Sequence, residues 1–135
     1  QMSTITKSIR YISFMLLALG CQNNQWEQCE KEAERSNRQC PKIIDSQTQL
    51  DSIKFNKHDK KFAYYYSLSG ESDSTFQATI DSKENKERTL NAVTNSYELH
   101  PYLQLNITFE YNYYSKLSGK LLGTIKITPN EYNPD

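Results

Sequence analysis

The sequence predicts an α+β domain, a two-layer sandwich in which helices pack on one face of a four-stranded antiparallel sheet. Three observations carry that prediction. Two pairs of short segments alternate apolar and polar residues around breaker-rich turns, the pattern of half-buried hairpins. A Glu-, Gln- and Arg-rich stretch with a thin apolar stripe precedes the first pair, and a second helical stretch separates the two pairs. The element order is therefore α-ββ-α-ββ, a single domain for a chain of 135 residues. Lys and Arg number 16 against 16 Asp and Glu, so the chain lacks the basic excess with which proteins track nucleic-acid phosphates.

Residues 1–20 stand apart from the fold. Lys7 and Arg10 give a positive start, Tyr11 to Leu19 form a short apolar run, and Gly20 precedes Cys21. About ten apolar residues fall short of the ~20 that a membrane-spanning helix needs. Positive start, short apolar core and small-residue exit predict a secretory signal peptide. Ala18-Leu19-Gly20-Cys21 resembles the bacterial lipobox, which implies lipidation of Cys21 and a membrane anchor at the new N-terminus. Removing residues 1–20 takes away two cations and no acid, leaving 14 basic against 16 acidic residues and nine of the ten tyrosines.

Residues 22–39, inside a lipid-anchored segment spanning 21–40, read as an amphipathic helix whose stripe is Trp26, Cys29 and Ala33. Pro41 marks its stop. Cys29 and Cys40 are the candidate disulfide of an exported chain. In one continuous helix their spacing would hold them about 16 Å apart, so a bridge requires the chain to fold back near Ser36-Asn37. The domain proper then covers 41–135. Leu50–Asn56 and Phe62–Leu68 form the first hairpin around the polar cluster Asn56–Lys60. From Ser74 to about Asn95, Phe76, Ile80, Leu90 and Val93 suggest a helix weakened by Thr, Ser and Asn. His100–Leu103 suggests one further turn with Pro101 near its start. Leu105, Ile107, Phe109, Tyr111 and Tyr113 alternate with polar residues and Tyr114 in a long strand. Gly119 supplies a positive-φ turn residue, and Lys120–Thr128 returns as the last strand with Gly123 tolerated or bulged.

This order of elements, with Cys40-Pro41, Tyr64-Tyr65-Tyr66-Ser67-Leu68, Ile107–Tyr111, Gly119-Lys120 and Ile127–Pro129, resembles small exported bacterial lipoproteins of unassigned function. The resemblance implies a lipobox followed by one α+β domain. It carries no catalytic residues to transfer.

Site chemistry is sparse. His58 lies in a charged turn and His100 before a proline. No nucleophile elbow, phosphate loop, metal-binding spacing or cofactor motif is present. Asp45, Asp51, Glu98 and Glu110 are isolated acids with no pocket-like context. Tyrosine is the unusual feature. Alternation puts Tyr64, Tyr66, Tyr111 and Tyr113 on one face and Tyr65 and Tyr114 on the other. Tyr suits pleated, half-buried strands on its own account. It also makes flat platforms for partners, so Tyr65, Tyr114, Asn112 and Glu110 are the candidate binding face. The leading expectation is a non-catalytic cell-envelope lipoprotein that binds a protein, as an inhibitor or immunity-like module. A glycan-binding module using the outer tyrosines and a small hydrolase are the alternatives. Whether a helix covers the face of Tyr65 and Tyr114 decides much between them.

Overall fold

The computed structural model describes residues 25–133. The expected signal peptide, the lipobox and Cys21 lie outside the described residues. Helix α1 occupies residues 25–37. Five strands follow in sheet order β1-β2-β3-β4-β5: Lys42–Ile43, Thr48–Asn56, Lys61–Leu68, Thr108–Ser115 and Leu121–Ile127. Between β3 and β4 lie α2 (Asp73–Ile80), α3 (Lys83–Asn95) and α4 (His100–Leu103), and α5 (Pro129–Tyr132) closes the described chain.

Both expected hairpins form, since β2 pairs β3 and β4 pairs β5 antiparallel. The sheet itself corrects the expectation of four antiparallel strands, being five-stranded and mixed. β3 and β4 run parallel at its centre, because the three helices between them carry the chain back across the sheet and restore its direction. The extra strand, β1, pairs only two residues with β2, too few for any alternation to show in sequence. The expected order α-ββ-α-ββ becomes one helix, three strands, three helices, two strands and a final helix.

The single helix expected over 74–95 is two. Ser72 caps α2 by accepting from the Thr75 N–H, and Ser82 caps α3 by accepting from the Asn85 N–H. The Ser and Thr residues that weaken a continuous helix thus supply its interruption. Strand β4 starts at Thr108 rather than Leu105, because Asn106 takes the left-handed conformation (φ 57°) that Asn tolerates better than most residues. Pro101 sits in the first turn of α4, as expected. Gly119 takes its positive φ of 75° in the β4–β5 turn.

Three cross-strand rows form the covered face: Phe55, Phe62, Phe109 and Ile127; Ile53, Tyr64, Tyr111 and Ile125; Leu50, Tyr66, Tyr113 and Gly123. The helices close on these rows. Trp26 of α1 stacks on Phe55 with centroids 6.2 Å apart, Tyr102 of α4 meets Phe62 edge-on at 5.1 Å, and Tyr132 tilts against Phe109 at 6.3 Å. Cys29 and Ala33 of α1 and Val93 of α3 complete the core with Ile107 and Phe109, both fully buried. Ile80 packs over Gly123, where a Cβ would come within 2.6 Å of its Cγ2. The described helices therefore do occupy one face only.

An interhelical cleft and an uncovered sheet face

The covered face is not covered everywhere. Between α1 and the segment joining α3 to α4, a cleft of about 760 Å³ reaches down to the sheet. Leu50, Ile53, Phe62 and Tyr64 line its depth, and Ala33, Leu99, Pro101 and Tyr102 add apolar wall. Its polar lining comes from Glu32, Arg35, Ser36, Gln39, Lys42 and Glu98, and Tyr97, 93% accessible, lines it as well. Glu32 and Arg35 pair with each other across one turn of α1. The chemistry is that of a groove for an apolar segment with polar flanks.

Tyr64 links the cleft floor to a set of stacked tyrosines on the same sheet face. Tyr64 stacks on Tyr111 across the parallel pair at 4.9 Å and Tyr66 on Tyr113 at 5.1 Å, while Tyr64 and Tyr66 lie 6.5 Å apart along β3. Burial drives the phenol pKa values of all four above the ordinary range, and for Tyr64, Tyr66 and Tyr111 the neighbouring phenols add to it. Alternation had placed these four on one face, and there they are.

Among the described residues no helix packs on the opposite face. Its rows are Lys54, Ala63, Glu110 and Lys126, then Ser52, Tyr65, Asn112 and Thr124. The structure brings the four expected binding residues together here. Tyr65 and Tyr114 lie 6.4 Å apart, with the Lys54 ammonium 5.8 Å above the Tyr65 ring. Asn112 donates to Glu110 at 3.2 Å and accepts from Thr124 at 2.9 Å, and Lys61 binds Glu110 at 3.1 Å. Burial by itself raises the Glu110 carboxyl pKa. The hydrogen bonds from Asn112 and Lys61 and the charges of Lys61 and Lys126 outweigh it, and the net shift is downward. Asn112, 6% exposed, and Glu110 thus spend their polar atoms on neighbours and hold this face flat.

The remaining candidates are dispersed. His58 is exposed in the β2–β3 turn, and His100 lines a smaller cavity of about 270 Å³ with Thr94, Leu103, Gln104, Tyr132 and Asn133, none of them acidic. Asp45 accepts from the Gln47 N–H in a turn, Asp51 binds Gln49 and Ser67, and Glu98 lines the cleft. Cys29 and Cys40 stand as free thiols. Cys29 faces the core, where burial and then the nearby Glu30 push its pKa up to about 11; the Cys40 thiol donates to the Ser36 carbonyl at 3.4 Å. Among the described residues no cluster of three metal-ligating side chains occurs, and no helix is long and apolar enough to cross a membrane.

The sequence reading missed the cleft. Its walls come from α1, β2, β3 and the 97–102 segment, far apart in the chain. The one local trace is an aromatic, Tyr97, in a polar linker.

The family model that matches, over residues 24–123, is described as a domain of unknown function (DUF8479). The chain belongs to this family. The matched span runs from the start of α1 into β5 and so takes in both walls of the cleft. A search of curated proteins gives no match. Among solved structures, a Pseudomonas aeruginosa protein described as a candidate secreted protein is similar, with a TM-score of 0.65 and 10% identity over 82% of this chain and 91% of its own. The Vibrio vulnificus type 2 secretion system pilotin EpsS gives a TM-score of 0.58 at 11% identity, covering 86% of this chain and 99% of the pilotin. The Vibrio cholerae type II secretion pilotin AspS gives 0.55 at 8%, covering 84% and 97%. At such identities the likeness is one of fold. The fold is therefore one that a candidate secreted protein and two secretion-system pilotins also use.

Proposed function

We propose that this chain is a non-catalytic docking domain of the bacterial cell envelope, which holds an apolar segment of a partner protein in the cleft between α1 and the 97–102 segment. One observation carries the reading. The cleft, about 760 Å³, has a floor of Leu50, Ile53, Phe62 and Tyr64 and apolar walls at Ala33, Leu99, Pro101 and Tyr102, so that an apolar occupant would meet apolar side chains below it and beside it. Among the described residues the cleft lining holds no histidine or cysteine, and Arg35 is paired with Glu32, which suits binding a segment better than transforming a substrate. The shared fold of the pilotins and the secreted protein supports an exported, protein-facing role. The signal-peptide and lipobox reading of residues 1–21 supports the anchor at Cys21 and agrees with envelope placement.

A photo-crosslinking side chain at Tyr97 tests the proposal in envelope preparations. A discrete partner should be captured, and Ser36→Trp, which fills the cleft from α1, should abolish the capture. Undiminished capture by the Ser36→Trp protein would refute it. The uncovered face supports a second reading as a glycan platform, because Tyr65 and Tyr114 do stand side by side there. That reading fails if Tyr65→Ala/Tyr114→Ala leaves glycan-array binding unchanged.

A further inference from the structure

The two edges of the sheet are finished differently. On the β2 edge, β1 covers Gln49 and Leu50, and the Ile44 N–H donates to the Thr48 carbonyl at 2.9 Å. Beyond β1 the Asn37 carboxamide acts as a surrogate strand. Its Nδ2 donates to the Ile53 carbonyl and its Oδ1 accepts from the Ile53 N–H, both at 2.6 Å. Only Phe55, beneath Trp26, is left among the outward positions.

Among the described residues the β5 edge is covered only at the Lys126 carbonyl, which the Lys86 ammonium takes. In an antiparallel pair, alternate residues turn both backbone groups away from the neighbouring strand. The Thr108 N–H donates to the Lys60 carbonyl of the β3 side, which assigns the even residues of β4 to β3. Their register partners on β5, Lys126 opposite Glu110 and Thr124 opposite Asn112, therefore point outward. The Lys86 ammonium taking the Lys126 carbonyl confirms that direction. Thr124 N–H, Thr124 C=O and Lys126 N–H remain without a partner among the described residues, on two exposed residues. Exposed Leu121 and Leu117 flank this edge at the β4–β5 turn.

We infer that β5 is a strand-addition site, which accepts an extended segment of another polypeptide as a sixth strand. Main-chain hydrogen bonds to Thr124 and Lys126 would supply the affinity. The charge at the edge selects the occupant. Glu110 is held by Lys61 at 3.1 Å and lies 4.0 Å from Lys126, whose side chain is 56% exposed; Lys116 and Lys120 stand exposed in the adjoining turn. Two lysines, Lys61 and Lys126, share the one carboxylate of Glu110, so an added strand that places carboxylates opposite Lys126 on the uncovered face meets a net positive charge, and one that places lysines there is repelled. The site is separate from the cleft and does not depend on it.

Capped peptides of alternating valine and glutamate, and of alternating valine and lysine, test the inference by amide hydrogen exchange. The glutamate peptide should protect the Thr124 and Lys126 amides at least tenfold, and the lysine peptide should not. Thr124→Pro removes an outward N–H without touching the β4 ladder, and should abolish the protection at Lys126. Lys126→Glu keeps the backbone intact and should reverse the preference between the two peptides. Absent protection at millimolar peptide, binding unaffected by either variant, or protection that rises with protein concentration alone would each overturn the inference. The last result would assign the edge to a second copy of this chain.

Discussion

The four stacked tyrosines make the domain sensitive to alkali in a calculable way. Tyr64, Tyr66, Tyr111 and Tyr113 all have phenol pKa values raised in the folded state, above the value near 10 expected when unfolded. Above that pH the unfolded chain binds fewer protons than the folded one, so stability falls as pH rises, until the folded-state values are passed. Each group contributes a slope of at most about 1.4 kcal/mol per pH unit, and four together approach 5–6 kcal/mol per unit. A domain of roughly 5–10 kcal/mol, the lower part of the ordinary range, then unfolds within about two pH units above 10. Tyrosinate absorbance at 295 nm and far-UV ellipticity, followed together, should show these phenols ionising in one cooperative step as the sheet is lost. The Tyr64→Phe/Tyr111→Phe protein should unfold at higher pH, with about half the slope. Ellipticity retained after every phenol has ionised, or an unchanged midpoint in the double variant, would refute the reasoning.

Two further perturbations follow from the packing. Asn37→Ala leaves both backbone groups of Ile53 without their partner and should lower stability by about 1–3 kcal/mol, read as a shifted urea midpoint with unchanged slope. Gly123→Ala places a methyl 2.6 Å from Ile80 Cγ2 and should cost about 1–3 kcal/mol, part of it recovered in the Gly123→Ala/Ile80→Leu pair, which removes the Cγ2 branch, by a double-mutant cycle.

What the sequence disclosed follows from what periodicity encodes. A period of two assigns Tyr64 and Tyr66 to one face and Tyr65 to the other, and both assignments hold in the structure. The stripe of Trp26, Cys29 and Ala33 likewise locates the buried side of α1. Periodicity says nothing about which strand lies beside which. The parallel register of Tyr64 on Tyr111 follows from the three-helix crossover, whose length but not path is written in the sequence. Strand β1 is too short to alternate, and Asn37 reads as an ordinary helix-end residue until Ile53 is seen beside it. The expected binding face was legible because all its members sit on strands. The cleft was not, because Glu32, Ile53, Phe62 and Leu99 carry no pattern in common until the fold gathers them.

The tyrosines also account for how so polar a chain, 36% apolar, leaves a deep cleft in its helix layer without losing its core. A tyrosine buries its ring against its stacked neighbour and lets its hydroxyl meet solvent. The hydroxyls of Tyr64, Tyr66, Tyr111 and Tyr113 make no hydrogen bond among the described residues, and none is a buried, unsatisfied group. The stacked rings therefore tolerate incomplete cover, and α1 and the 97–102 segment can stand apart. Replacing the four by phenylalanine would favour closure of the layer over the sheet, trading the cleft for a drier core. Of the four, Tyr64 lines the cleft, so it is there that a stacked phenol, rather than an added helix, completes the floor of the groove.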